Sequence, residues 1–385
     1  MSDTPRWLTR PVGHIPAGLL GMVALVVSCE VIHFRSDRYA SGKATSWTFA
    51  AQAATAEAID RDVLLLGDSM VKMGLLPTLI EERSGGRLQV YNLAAFDAPP
   101  SASDVLLRRA LGAGCRASAV VVNLMPHQLA RSPVDPVLRR AWAELLTPRE
   151  AITLARALGV PELPGSTVLG RLIPSVRQRE EIRLSMLAEL DGFERSSRNL
   201  GRLCRRNWTV NLGAHVLPTR EEPGRINAAN TQLFPGRFVP DPAAIASVLR
   251  LLSLARDRGM RFYWLITPLH PEAAGRHRAS GFSAAYEAEV RRLVEDFPNV
   301  VVLDARHLGI KASQFVDAVH LDRDGAILLS SAVADILAAA SPGADRRWVK
   351  LARPTPSTTG AGLAPIEDLD QSRTALIEER AARRR

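Results

Sequence analysis

The chain has 385 residues, 46% of them from the AVILMFWYC set and 23% charged, a balance that allows a sizeable core and excludes wholesale disorder, collagen-like repeats and a polytopic membrane protein. Lys plus Arg number 49 against 40 Asp plus Glu, a net +9, yet the only lysines are Lys43, Lys72, Lys311 and Lys350. An Arg-dominated excess in an Ala-rich chain reads as codon bias rather than a phosphate-binding tract, so no nucleic-acid partner is expected, and the widely spaced Cys29, Cys115 and Cys204 exclude a disulfide scaffold or zinc site.

The first element is apolar. Residues 15–34 read IPAGLLGMVALVVSCEVIHF, about the 20 residues a helix needs to cross a hydrocarbon core. A membrane anchor over 1–35 is expected, against a cleaved signal peptide and a buried core helix. The run is long for a signal peptide, and Glu30 and His33 stand where a small-residue cleavage site belongs. Glu30 is costly in lipid unless it reaches the headgroups. Residues 36–60 contain WTFAAQAATAEAI, expected as a linker helix between the anchor and the body.

From residue 61 a rhythm begins. Short apolar runs at 63–67, 88–93, 119–124, 262–267 and 300–305 lack polar alternation, which is how strands buried on both faces of a parallel sheet read. Amphipathic helices are expected at 75–84, 101–112, 243–258 and 284–296, with a closing helix over 324–340. Strand alternating with helix implies an α/β domain, assigned to 61–341. Residues 132–239 break the rhythm, with helical patterns only at 147–159 and 177–206. A hundred residues exceed any ordinary connection. They are expected as a largely helical insertion, either a lid or interaction surface or a plain packing extension. The polar, proline-containing stretch 342–385 is expected as a disordered tail.

The chemistry lies at two strand ends. Gly67-Asp68-Ser69 follows the first strand, and in open parallel sheets sites form at the carboxyl ends of strands. Ser69 there sits beside a helix start, where free N–H groups favour developing negative charge. A serine hydroxyl needs a base to become a nucleophile. Asp317-Ala318-Val319-His320 follows the last predicted strand, and its i, i+3 spacing puts carboxylate and imidazole on one turn. Asp317 then orients His320 and His320 takes the Ser69 proton, the logic of a Ser-His-Asp triad. Asp322 and Asp324 read as a helix cap and a first-turn charge. No GxxxxGK[ST], GxGxxG after the first strand, HExxH or EF-hand loop is present, so no cofactor or metal is expected.

The motifs LLLGDSMVKMGLLP (64–77) and FVDAVHLDRDGAILLSSAVADIL (315–337), with TPLHPE (267–272), resemble the SGNH (GDSL) hydrolase superfamily. The likeness is to membrane-anchored bacterial members related to polysaccharide O-acetyltransferases and esterases. It spans roughly 60–340 outside the insertion. The resemblance implies a flavodoxin-like sheet, Ser69 as nucleophile and Asp317 with His320 as acid and base. It also implies an oxyanion donor near Asp97, where the family has glycine, and reads Asn123 in AVVVNLMPHQ (119–128) either as a further donor or as a plain strand terminator. His127 in that stretch reads as a loop residue. The implied protein is a single-pass, extracytoplasmic serine esterase or O-acyltransferase on acyl esters, with polysaccharide as the implied acceptor. The other reading is a non-catalytic domain that binds glycan or an envelope protein through its insertion.

Overall fold

The structure, a computed structural model, describes residues 17–34, 42–133, 139–173, 175, 200–222, 226, 237–339, 347–354 and 366–382. Its centre is a six-stranded sheet, all strands parallel, in the order β2-β1-β3-β4-β5-β6. The strands are β1 (Val63–Leu66), β2 (Val90–Asn92), β3 (Ala119–Asn123), β4 (Arg261–Ile266), β5 (Val300–Asp304) and β6 (Trp348–Lys350). The order is consistent with a flavodoxin-like fold. It reverses between β1 and β3, which leaves a crevice over the carboxyl ends of those two strands.

Alternation along the strands feeds two cores. Leu64, Leu66, Val120, Val122, Phe262, Trp264 and Val302 face one side; Val63, Leu65, Val121, Tyr263, Leu265 and Val301 face the other. The first core is covered by α2 (Gly42–Ala56), α5 (Pro100–Gly112), α7 (Arg139–Leu145), α8 (Pro148–Leu158), α11 (Pro242–Asp257) and α13 (Phe282–Val294). The second is covered by α3 (Ser69–Gly74), α4 (Pro77–Arg83) and α14 (Arg323–Ala338). The five expected strands and the five expected helices of the alternating pattern are present with shifts of a few residues at their ends. The remaining helices are α1 (Ala17–Phe34), the single turn α6 (Pro126–Leu129), α9 (Leu163–Leu172), α10 (Leu200–Val210), α12 (Pro271–Ala279) and α15 (Leu369–Ala382).

Three expectations change. The expected membrane span is helical over 18 residues in α1, and among the described residues no helix is long and apolar enough to cross a membrane. The linker helix is no linker. α2 carries Trp47 into the first core at 1% exposure, edge-on to Trp142 with ring centroids 5.3 Å apart. Trp47 Nε1 donates to Phe96 O at 2.8 Å, and Ser46 Oγ accepts from Phe96 N at 3.1 Å. A buried side chain of this kind is worth at least about 2–3 kcal/mol, so α2 belongs to the domain.

The insertion is helical where described. α8 matches the predicted 147–159 helix, with a Thr147–Glu150 capping box at its start and Gly159 left-handed at φ 69° at its end. The predicted 177–206 helix is regular from Leu200, and its part before 200 lies outside the described residues. The tail is not wholly irregular. β6 pairs with β5 in the register Val302↔Trp348 to Asp304↔Lys350. Its three residues are too short for a strand pattern, and β5's open edge supplies the ladder partners. The segment leading into α15 docks on α10 through Arg206 Nε donating to Glu367 Oε1 and Asn207 Nδ2 donating to Glu367 O, each at 2.7 Å, and α15 itself through Ser372 Oγ, which accepts from Asn207 Nδ2 at 3.2 Å.

Candidate active site

The β1 strand ends at Gly67, whose φ of 135° suits only glycine. An added Cβ would also meet Asn123 Oδ1 at 3.1 Å. Asp68 then caps α3, its Oδ1 accepting from Met70 N at 2.9 Å. This places Ser69 as the first residue of α3, directly over the crevice.

The facing loop is built from the far end of the chain. Phe315 and Leu321 form an isolated antiparallel bridge, and Val316 N donates to His320 O at 2.9 Å. Asp322 caps α14 by accepting from Gly325 N at 2.9 Å, with Asp324 in its first turn, as the sequence predicts. His270 N donates to Ala318 O at 3.0 Å, so the loop after β4 braces the same turn. Within it, Asp317 Oδ1 accepts from the N–H groups of Val319 and His320, each at 2.9 Å.

These two ends meet. His320 Nε2 lies 2.7 Å from Ser69 Oγ, and His320 Nδ1 lies 2.7 Å from Asp317 Oδ2. Burial raises the Asp317 pKa, but the hydrogen bond and charge of His320 and the two backbone N–H donors outweigh it. The carboxyl is held below its ordinary value. An ionised Asp317 fixes the proton on Nδ1 and leaves Nε2 free to accept the serine proton.

The cleft around Ser69 is about 280 Å³ and is lined by Asp68, Met70, Met73, Phe96, Asp97, His127, Val319 and His320. Asp97 takes a left-handed φ of 59°, a conformation glycine adopts without strain. Its Oδ1 accepts from Arg131 Nη1 at 3.2 Å, which neutralises the carboxylate beside the serine. Asn123 is placed differently from the expectation. It is fully buried, Nδ2 donates to Thr267 Oγ1 at 3.3 Å and contacts Met70 Sδ at 3.9 Å, and it is not among the cleft residues. As the last residue of β3 it lies beneath α3, and the Met70 side chain covers it.

His127 proves more than a loop residue, since α6 sets it on the cleft wall. Its Nε2 stands 3.7 Å from Asp68 Oδ2. Burial pushes His127 down to about 4 and Asp68 up to about 7, the latter opposed by the Met70 N–H. Both shifts run toward the neutral forms, so burial disfavours an ion pair here and favours a neutral imidazole on the cleft wall. Arg131, Phe96 and Met73 were not legible as site residues, because nothing in their local sequence marks a role and α3, the β2–α5 loop and the segment after α6 bring them together only in the fold. No protein-family model matches the chain, and no curated protein is similar to it in sequence.

Proposed function

We propose that the protein is a membrane-attached serine esterase or O-acyltransferase of the SGNH type, acting on short acyl esters. The observation that carries this reading is the unbroken Ser69–His320–Asp317 hydrogen-bond series, 2.7 Å at each step. A Ser69 hydroxyl out of reach of His320 would favour a non-catalytic binding domain instead, and the 2.7 Å approach supports the enzyme.

Ser69 Oγ attacks the ester carbonyl as His320 Nε2 takes its proton, and Asp317 stabilises the imidazolium so formed. The carbonyl oxygen gains the negative charge, and the backbone N–H groups of Ser69 and of the Asp97 turn are its donors. His320 then returns the proton to the departing alcohol, which leaves an acyl-Ser69. Water, or a sugar hydroxyl deprotonated by His320, attacks that acyl group and restores the serine. The small cleft favours a short acyl group over a long chain. The exposed apolar side chains of α1 support attachment to a membrane through the N-terminus, and the resemblance supports an extracytoplasmic polysaccharide as acceptor.

The test is covalent. Wild-type protein is expected to label with a fluorophosphonate and to hydrolyse 4-nitrophenyl acetate; Ser69→Ala is expected to do neither. Unchanged labelling of Ser69→Ala overturns the assignment of the nucleophile.

A further inference from the structure

Outside α1, eight large apolar side chains are exposed among the described residues, and four of them crowd two neighbouring helices: Ile152 of α8 and Val168, Leu169 and Leu172 of α9. The inward side of α9 is committed to the fold. Leu163, Thr167 and Gly170 are buried, and Gly170 lies so close to α7 that an added Cβ would stand 2.8 Å from Ala143 Cβ. The outward side keeps Leu172 at 74% exposure, the highest of the set. A clustered apolar face of this kind marks a surface with an unseen partner.

Two observations say what covers it. The first is position. Ser175 N donates to Glu30 Oε2 at 3.0 Å, and the Ser175 hydroxyl bonds Oε1 of the same carboxylate. Leu172 precedes Ser175 by three residues, at most about 11 Å of chain. The apolar side of α9 therefore adjoins the body-side end of α1, whose own large side chains from Leu19 to Val31 are exposed. The second is charge. Arg149, Arg156 and Arg171 are exposed on α8 and α9 and their flanks, where, among the described residues, Glu162 is the one exposed carboxylate and Glu150 is half-buried against Arg109. On α8, Arg149, Ile152, Thr153 and Arg156 form one exposed stripe at i, i+3, i+4 and i+7.

Apolar side chains interleaved with arginines on a helix lying beside the exposed apolar α1 are the pattern of an interfacial element. We propose that the α8–α9 face docks on an anionic lipid surface, with Leu169 and Leu172 at the acyl boundary and the three arginines at headgroup phosphates. This rests on attachment through α1, and it adds a second foothold that fixes how the domain is turned on the membrane. The insertion is then a membrane-docking element rather than a lid.

Full-length protein carrying Cys29→Ser is reconstituted into vesicles of phosphatidylcholine alone or mixed with phosphatidylglycerol. Spin labels are placed one at a time at Leu172→Cys, at Val26→Cys in α1, and at Asp335→Cys on the opposite side of the sheet. In the mixed vesicles the label at 172 is expected to favour collision with oxygen over an aqueous nickel chelate, as at 26 and unlike at 335. The preference at 172 weakens in phosphatidylcholine alone and in the Arg149→Glu, Arg156→Glu, Arg171→Glu variant, whose exposed changes leave the fold intact. A label at 172 as aqueous as at 335, with 26 still protected, overturns the docking while sparing the attachment. Aqueous labels at both 26 and 172 overturn both. Spin–spin broadening at 172, without lipid contact, assigns the face to a second copy and also overturns the proposal.

Discussion

Asp97 presents its carboxylate to Arg131, Oδ1 to Nη1 at 3.2 Å, while its own backbone is left-handed at φ 59°. The residue thus holds a left-handed turn that glycine would adopt without strain, at a cost. The left-handed conformation is worth about 1–2 kcal/mol against a residue with a Cβ. Asp97→Ala and Asp97→Gly both remove the carboxylate, so their difference isolates the backbone. Asp97→Gly is expected to be more stable than Asp97→Ala by about 1 kcal/mol in urea unfolding, and to keep ester turnover. Equal stabilities would show that the turn relaxes.

Asp317 accepts three hydrogen bonds, two from backbone and one from His320. Asp317→Asn keeps the backbone acceptor but presents an amide N–H to the imidazole, which drives the proton to the nitrogen facing Ser69. Turnover of 4-nitrophenyl acetate is expected to fall by about 10⁴-fold, the scale of the same exchange in other triads, with little change in Tm. A loss confined to stability would reassign Asp317 to holding the loop.

Asn123 offers its amide to Thr267 and to the sulfur of Met70 rather than to the cleft. Removing a true oxyanion donor costs about 10²–10³ in rate. Asn123→Ala is expected to fall well short of that loss and to lower thermal stability instead. A fall of 10² or more at unchanged Tm would restore Asn123 to the reacting atoms.

Lys72 follows Ser69 by one helical turn and is fully buried, its Nζ without a hydrogen-bond partner among the described residues. It faces the rings of Trp208 at 4.6 Å and Phe49 at 5.4 Å. Burial pulls its pKa from 10.5 down to about 7, against the opposing influence of Cys204. Between those values the unfolded chain binds a proton that the folded chain does not, so stability rises with pH across that window. Comparison between pH 7 and 8.5 avoids the Cys204 thiol, which burial raises to about 11. Lys72→Met is expected to be more stable than wild type at pH 7, with a flatter dependence over that range. A parallel slope would mean that the amine keeps its proton in the fold.

The positions of β1 to β5 and the pairing of Ser69 with the DAVH turn were legible because both rest on local signals, uniform apolar runs and two short motifs at strand ends. The depth of α2 was not legible. WTFAAQAATAEAI reads as a mild helix, and only the Trp47–Phe96 and Trp47–Trp142 contacts reveal it as a wall of the core. His127 and Arg131 were missed as site residues for the same reason: their roles depend on partners distant in the chain, Asp68 and Asp97. The edge strand Trp348–Lys350 has too few residues to carry a period. Its identity comes from β5, through Val302 N donating to Arg347 O at 2.8 Å.

The docking of α15 on α10 has a consequence for how the chain is made. Arg206 and Glu367 are 161 positions apart, and β6 completes the sheet only after residue 347 has been synthesised. Contacts so distant in sequence form slowly, because chain closure must precede any gain. The N-terminal half can collapse around β1, β2 and β3 during synthesis, but α10 waits for the last stretch of the chain. A nascent chain stopped short of residue 366 leaves Asn207 and Arg206 without their Glu367 acceptor, and one stopped short of residue 348 also leaves the β5 edge open to pairing with other chains.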